Sequence, residues 1–121
     1  MTPEQQCKML EAAAKVCGAY LLWHERWGCF YDYNKRHESK DFQEWNPLTT
    51  PADCAEMCAK LGINTTYWWG SNEVECQCFF VKEFTEFFAY RTAEKDHDNS
   101  RLKAWMYAAT MVAAKTQGYE E

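Results

Sequence analysis

The chain has 121 residues, of which 47% are hydrophobic and 17% aromatic, and this composition excludes a disordered or collagen-like protein. Thirteen basic and 18 acidic residues give a net charge of −5. A nucleic-acid-binding protein normally presents a basic face, so we do not expect one here. No apolar run reaches the roughly 20 residues of a membrane span, and none is expected. The length predicts a single domain over residues 1–121.

The N-terminal segment is predicted to form a helix over residues 2–26. Thr2 can cap this helix, Pro3 suits its first turn, and Gln5 completes a capping box. Residues at spacings of three and four then define one face of the helix: Cys7, Leu10, Ala14, Cys17 and Leu21.

The central segment, residues 28–80, is predicted to contain strands around one helix. A short strand covers residues 28–33. The helix begins with Thr50 as its cap and Pro51 in its first turn, and it ends at Gly62. Strand-forming residues follow and return after a turn, which predicts a hairpin.

The C-terminal third is predicted to end in a helix over residues 100–117, with Gly118 as its terminator. Residues 81–91 stay open between helix and strand, because three Phe residues have helical spacing in a composition typical of strands. Together the elements predict an α+β fold. In it a small antiparallel sheet packs against a disulfide-linked helix, with long N- and C-terminal helices.

Seven cysteines indicate an oxidising compartment or a metal site. They are Cys7, Cys17, Cys29, Cys54, Cys58, Cys76 and Cys78. Because their number is odd, pairing within the chain leaves at least one thiol over. The first residues, MTPEQQ, lack the basic and apolar regions of a signal peptide. We expect either that a signal peptide has been removed or that the protein reaches an oxidising space without one.

Four of the cysteines form a matched helix–strand set. Cys54 and Cys58 project from one helix face about 6 Å apart, and Cys76 and Cys78 from one sheet face about 6.6 Å apart. Two parallel bridges satisfy this spacing, either 54–78 with 58–76 or 54–76 with 58–78. A four-thiolate zinc site is the alternative, but the Cys-x-Cys arm is tighter than usual zinc spacing, so we expect bridges and no metal.

Three motifs in the central segment occur together in a known family. They are Gly28-Cys29-Phe30 with Asp32, Thr50-Pro51-Ala52-Asp53-Cys54-Ala55-Glu56-Met57-Cys58 with Gly62, and Glu75-Cys76-Gln77-Cys78. This set resembles the WSC domain and, more loosely, the PAN/apple domain. The resemblance implies a disulfide-bonded extracellular or cell-surface domain that binds carbohydrate or protein without catalysis.

The chain departs from the WSC pattern, since no cysteine follows Cys78. Cys7 and Cys17 lie about 15 Å apart on one predicted helix, too far to bridge each other. The resemblance implies that one of them replaces a missing partner, for instance by bridging to Cys29. One pair is thus expected among Cys7, Cys17 and Cys29.

A second resemblance rests on the Cys-x9-Cys spacing of Cys7 and Cys17. This spacing is similar to that of the CHCH proteins of the mitochondrial intermembrane space, which are imported without a classical signal peptide and then oxidised. The family has two such helices, whereas this chain has one. The alternative prediction is therefore a non-catalytic accessory subunit of a larger complex, in that compartment.

Candidate binding residues are aromatic. Trp68 and Trp69 are adjacent in a predicted strand and face opposite sides, so we expect one in the core and the other to stack on a sugar ring or a partner. Further candidates are Tyr31, Tyr33 and Trp45, and Asn64 begins a glycosylation sequon.

No catalytic constellation is visible, so neither an enzyme nor a cofactor is expected. The terminal helices are rich in alanine, which permits close helix–helix approach. They are expected either to pack on each other or to dock into a larger assembly.

Overall fold

The computed structural model describes residues 2–17, 21–24, 29–32, 44–81 and 84–120. Within these ranges three α-helices form: α1 (Pro3–Cys17), α2 (Pro51–Leu61) and α3 (Arg101–Lys115). The first three-stranded sheet contains β1 (Leu21–His24), β2 (Cys29–Asp32) and β3 (Glu44–Trp45). The second contains β4 (Asn64–Trp68), β5 (Glu73–Val81) and β6 (Thr85–Ala93). A 3₁₀ helix, Glu94–His97, joins β6 to α3. Every pairing described is antiparallel, which confirms the predicted mixture of helices with a small antiparallel sheet.

The N-terminal helix is shorter than the predicted span of 2–26. Its start is as predicted, because Gln5 N donates to Thr2 Oγ1 (3.1 Å) and Thr2 N donates to Gln5 Oε1 (2.9 Å). It ends at Cys17. Leu21 then pairs with Asp32 of β2, so pairing between two neighbouring strands places residues with helical spacing in a β-ladder. α1 and α3 are 15 residues each, and the predicted long terminal helices are not confirmed.

The caps of α2 and α3 differ. Ser100 Oγ accepts a hydrogen bond from Lys103 N (3.1 Å) at the start of α3. Thr50, the N-cap of α2, makes no side-chain cap bond, although Pro51 follows it. Gly62 ends α2 in the left-handed conformation at φ 67°, a conformation that glycine adopts without steric cost.

The core lies between the helices and one face of the second sheet. α3 packs against β5 and β6 and also contacts α1 and α2. The prediction placed the Cys54–Cys58 helix across the sheet. In the structure α3 takes that position, and α2 lies beside it, bringing Cys54 into the core next to Cys76. The reason is composition, because α3 is apolar over most of its circumference from Ala104 to Ala114.

The alanine-rich faces of α1 and α3 pack against each other. Ala13 on α1 and Ala108 and Ala109 on α3 are all fully buried, and the two helices are in contact. Small side chains allow this close approach. These alanines are buried in the contact between the two helices. They are therefore not available to dock the terminal helices into a larger assembly. None of the helices within the described ranges has the length and apolar character to cross a membrane.

Of residues 81–91, left open by the sequence, Val81 ends β5 and residues 85–91 lie in β6, so the described part forms a long antiparallel hairpin. Cys78 pairs with Phe88 and Phe79 with Phe87. Val74, Cys76 and Cys78 are buried against α3, whereas Phe79 and Val81 are exposed. The period of two therefore divides the second sheet into an inner face, covered by α3, and an outer face turned away from it.

Candidate functional site

An exposed apolar surface lies at the end of the β5–β6 hairpin. We name it the hairpin patch and define it as Phe79, Val81, Phe84 and Phe87. These side chains are 67%, 67%, 73% and 56% exposed, respectively. Phe79 and Phe87 pair directly across the outer face, with ring centroids 5.0 Å apart. At about 200 Å² per aromatic side chain, Phe79 and Phe87 leave roughly 250 Å² open on the outer face, and Phe84 leaves roughly 150 Å² more at the hairpin end.

A cleft of about 310 Å³ lies behind the hairpin patch. Phe80 and Phe88 of the inner face line it together with Phe84, and Lys115 at the end of α3 stands at its side. Glu86 also lines this cleft, so the Phe side chains that continue around the hairpin end adjoin charged groups. A partner could thus both cover the hairpin patch and insert a side chain behind it.

The opposite end of the outer face is polar around Trp68, which is 42% exposed. Its Nε1 donates to Glu75 Oε1 (3.3 Å), and the Arg91 guanidinium lies 4.4 Å from the ring centroid. Arg91 also donates to Glu73 Oε1 (3.0 Å) and Ser71 Oγ (3.3 Å). The hydrogen bond from Arg91 is the main reason that the pKa of Glu73 lies below its usual range, with Ser71 adding to it. One face of the Trp68 ring is therefore occupied by a cation.

Trp69 lies on the other side of the chain and is 71% exposed. The Arg101 guanidinium is 4.3 Å from its ring centroid, and the Tyr67 ring is 6.4 Å away. Arg101 also donates to Glu94 Oε1 at 2.7 Å. Trp68 and Trp69 thus face opposite sides as predicted, but the expectation that one lies in the core is wrong. Trp69 contacts Arg101 in the polar first turn of α3 and does not reach the core.

The other aromatic candidates are placed differently. Trp45, on β3, is 8% exposed and belongs to the core, so its assignment as a binding residue is corrected to a packing role. Tyr33 lies outside the described residues, and only the backbone of Tyr31 is described. Asn64 is exposed at the start of β4, and its glycosylation remains a prediction.

The cysteine set of the sequence converges in the core as expected. Cys54, Cys76 and Cys78 are buried in one cluster, with Cys58 packed against it. Cys17 at the end of α1 joins the same cluster, and its carbonyl accepts a hydrogen bond from Lys60 Nζ (3.2 Å). We name these five residues the thiol cluster.

All six cysteines whose side chains are described, those of the thiol cluster and Cys7, carry free thiols. The predicted bridges are not formed in the structure and remain a prediction. The side chain of Cys29 lies outside the described part of the chain. The His, Cys, Asp and Glu side chains described contain no group of three placed to hold a metal ion.

Burial and hydrogen bonding shift the pKa values of the thiols in the cluster in different directions. Burial raises the pKa of Cys17 and of Cys76 to about 12 and also raises that of Cys78. The hydrogen bond between the Cys54 and Cys58 thiols, aided by burial, raises the pKa of Cys54, whereas the same bond lowers that of Cys58. Cys58 is therefore the thiol most readily ionised within the cluster.

A second cleft, of about 420 Å³, lies between the 3₁₀ helix and α3. His97 lines it, shares a 2.9 Å hydrogen bond with Thr92 Oγ1, and packs 4.7 Å from the Tyr107 ring. Burial lowers the pKa of His97, and the neighbouring Asp96 and Asp98 act in the opposite direction.

Sequence reasoning missed the hairpin patch. Three of its members, Val81, Phe84 and Phe87, lie in residues 81–91, where helical spacing makes the Phe side chains resemble a packing face, and Phe79 lies in a predicted strand whose outer face the sequence does not identify. The signal that identifies it is alternation, since Phe79 and Val81 share the face opposite buried Cys78.

Comparison of the chain with protein-family models, curated proteins and solved structures finds no match in any of the three. The resemblances to WSC, PAN/apple and CHCH proteins therefore remain predictions from the cysteine spacing.

Proposed function

We propose that this protein is a non-catalytic interaction module that binds another protein through the hairpin patch. The observation that carries the proposal is the exposure of four neighbouring apolar side chains, Phe79, Val81, Phe84 and Phe87, each more than half open to solvent. Removing roughly 400 Å² from water at about 25 cal/mol per Å² contributes on the order of 10 kcal/mol. The entropy lost on association offsets much of this gain, which leaves a specific but moderate affinity.

The partner expected at this patch is an apolar protein surface. Phe79 and Phe87 present paired rings, and the adjoining cleft is lined by further Phe side chains beside Glu86 and Lys115. Such a surface suits aliphatic and aromatic side chains. A glycan needs a stacking ring that is surrounded by hydrogen-bonding groups, whereas the described pair of Phe79 and Phe87 stacks ring against ring.

Glycan recognition is the second candidate function, located at Trp69. This indole is 71% exposed, and the Arg101–Glu94 pair beside it offers donors and acceptors for hydroxyl groups. The guanidinium covers one ring face, so a sugar would have to stack on the other.

The compartment is part of the proposal. We propose an extracellular or cell-surface location on the basis of the cysteine content, with an accessory subunit in the mitochondrial intermembrane space as the alternative. Both assign the same role to the hairpin patch, because a subunit of a complex and a surface module alike bind a partner protein.

Paired variants test the proposed function. In Phe79→Ser/Phe87→Ser the patch is made polar, and in Leu102→Ser a similarly exposed apolar residue on α3 (49% exposed) is changed as the control. Affinity capture from source cells is compared by mass spectrometry for the wild type and both variants. We expect proteins held by the wild type and by Leu102→Ser to be lost with the double variant. Identical capture by all three proteins contradicts the proposal, and binding on a glycan array that Trp69→Ala abolishes favours the second candidate.

A further inference from the structure

The cleft behind the hairpin patch carries two opposite charges. Glu86 on β6 is exposed and Lys115 at the end of α3 is partly buried, and both line the cleft. Neither forms an ion pair with another residue in the described part of the chain. Lys115 Nζ lies 5.3 Å from the centroid of the Tyr90 ring, a contact that brings no counter-charge. Both charges are therefore available to a binding partner.

The same surface combines a protruding ring with a recess. Phe84 is 73% exposed, the largest fraction among the large hydrophobic side chains described. The cleft of about 310 Å³ lies beside it, lined by Phe80 and Phe88. A surface with both a projection and a recess can pair with itself, because in a two-fold interface each contact occurs twice with the roles of the chains exchanged.

The charges favour self-pairing in the same way. A partner surface of one charge sign would meet a like charge at either Glu86 or Lys115, which is costly. A second copy turned by a two-fold axis offers a lysine to Glu86 and a carboxylate to Lys115, so both contacts are attractive.

We propose that the partner of the hairpin patch is a second copy of this chain. A two-fold axis places Phe84 of each chain in the cleft of the other and Glu86 opposite the other chain's Lys115. This inference rests on the proposed function, because it uses the same patch and names what covers it.

The size of the patch determines the strength of this dimer. The three exposed Phe side chains leave roughly 400 Å² open on each chain, so two chains bury about 800 Å² of aromatic surface. Stable protein–protein interfaces bury about 1,200–2,000 Å² in total. We therefore expect a weak, reversible dimer whose population depends on protein concentration.

Sedimentation velocity on the full chain tests the dimer at concentrations from about 10 µM to about 1 mM, the range of weak complexes. The weight-average mass of the wild type should rise from one chain towards two. Glu86→Lys and Lys115→Glu should each raise the dissociation constant at least tenfold, because each places like charges together at both contacts. Phe84→Ala should weaken the dimer by a similar factor.

An equimolar mixture of Glu86→Lys and Lys115→Glu should regain the wild-type dissociation constant. In the mixed pair each of the two contacts again joins a positive to a negative group. This rescue also guards against misfolding, because two misfolded chains do not restore each other's interface. Lys95→Glu is the matched control, since it reverses an exposed charge on the 3₁₀ helix, and it should dimerise like the wild type.

A wild type that stays monomeric throughout, or a mixture that associates no better than either variant alone, would overturn the inference. The capture experiment separates this failure from that of the proposed function. If the wild type is monomeric and Phe79→Ser/Phe87→Ser still loses captured proteins, the patch binds a different protein and only the inference fails. If the wild type is monomeric and capture is identical for all variants, both fail.

Discussion

The loss of folding stability in Phe79→Ala shows whether the Phe79 ring is exposed or lies in the core. Phe79 is 67% exposed, so about a third of its surface leaves water on folding. Full burial of such a side chain contributes roughly 1.5–3 kcal/mol, and a third of that is about 0.5–1 kcal/mol. The ring pair with Phe87, 5.0 Å between centroids, adds about 0.5–1 kcal/mol. Phe79→Ala should therefore cost about 1–2 kcal/mol of unfolding free energy.

The assay is equilibrium urea unfolding followed by Trp fluorescence, with Met111→Ala as the comparison. Met111 is fully buried on α3, and truncation of a buried Met typically costs about 2–5 kcal/mol. We expect Phe79→Ala to unfold at a urea concentration closer to the wild type than Met111→Ala does. A loss of more than about 3 kcal/mol for Phe79→Ala, the range of core Phe truncations, would show that the ring is part of the core and contradict its exposed position.

Three further predictions concern caps and titration. Ser100→Ala should destabilise the fold by about 1 kcal/mol and Thr50→Ala by less, since only Ser100 makes a side-chain cap bond; equal losses in urea unfolding would contradict this. Gly62→Ala should cost about 1 kcal/mol through left-handed strain alone, because no atom lies within 4 Å of an added Cβ; an unchanged urea midpoint would refute it. Burial lowers the pKa of His97 in the fold, so the unfolded chain binds more protons near pH 6.5 and stability falls as the pH drops through that value. His97→Gln should lose less stability than the wild type between pH 7.5 and 5, and identical pH profiles from thermal melts would contradict this prediction.

The sequence predicted local structure well where a chemical signal was strong. The capping box of Thr2 and Gln5 and the terminator Gly62 appear where they were expected. The predicted end of α1 was wrong, because helical spacing carries no information about strand pairing. The β1–β2 ladder depends on residues of both strands. The cysteine spacing correctly predicted that Cys54 and Cys76 lie in one core. It predicted that α2 covers the sheet, whereas α3 does so.

The candidate site was less predictable than the fold. Trp45 was assigned to binding although it is buried, and Phe79 was not considered although it is exposed. Both errors have the same cause. Aromatic character does not reveal which side of a strand faces the core, and that depends on where α3 docks, a contact between segments distant in sequence. The hairpin patch becomes visible only when the register of β5 against β6 is known.

Site-specific photocrosslinking tests the central claim that the hairpin patch binds a partner protein. A benzophenone amino acid placed at Phe79 in the source cells is compared with one at Leu102, an exposed apolar position outside the patch. We expect a discrete crosslinked band at position 79 that is absent at position 102 and abolished by Phe87→Ser. Crosslinks at position 102 alone, or equal crosslinking at both positions, would contradict it.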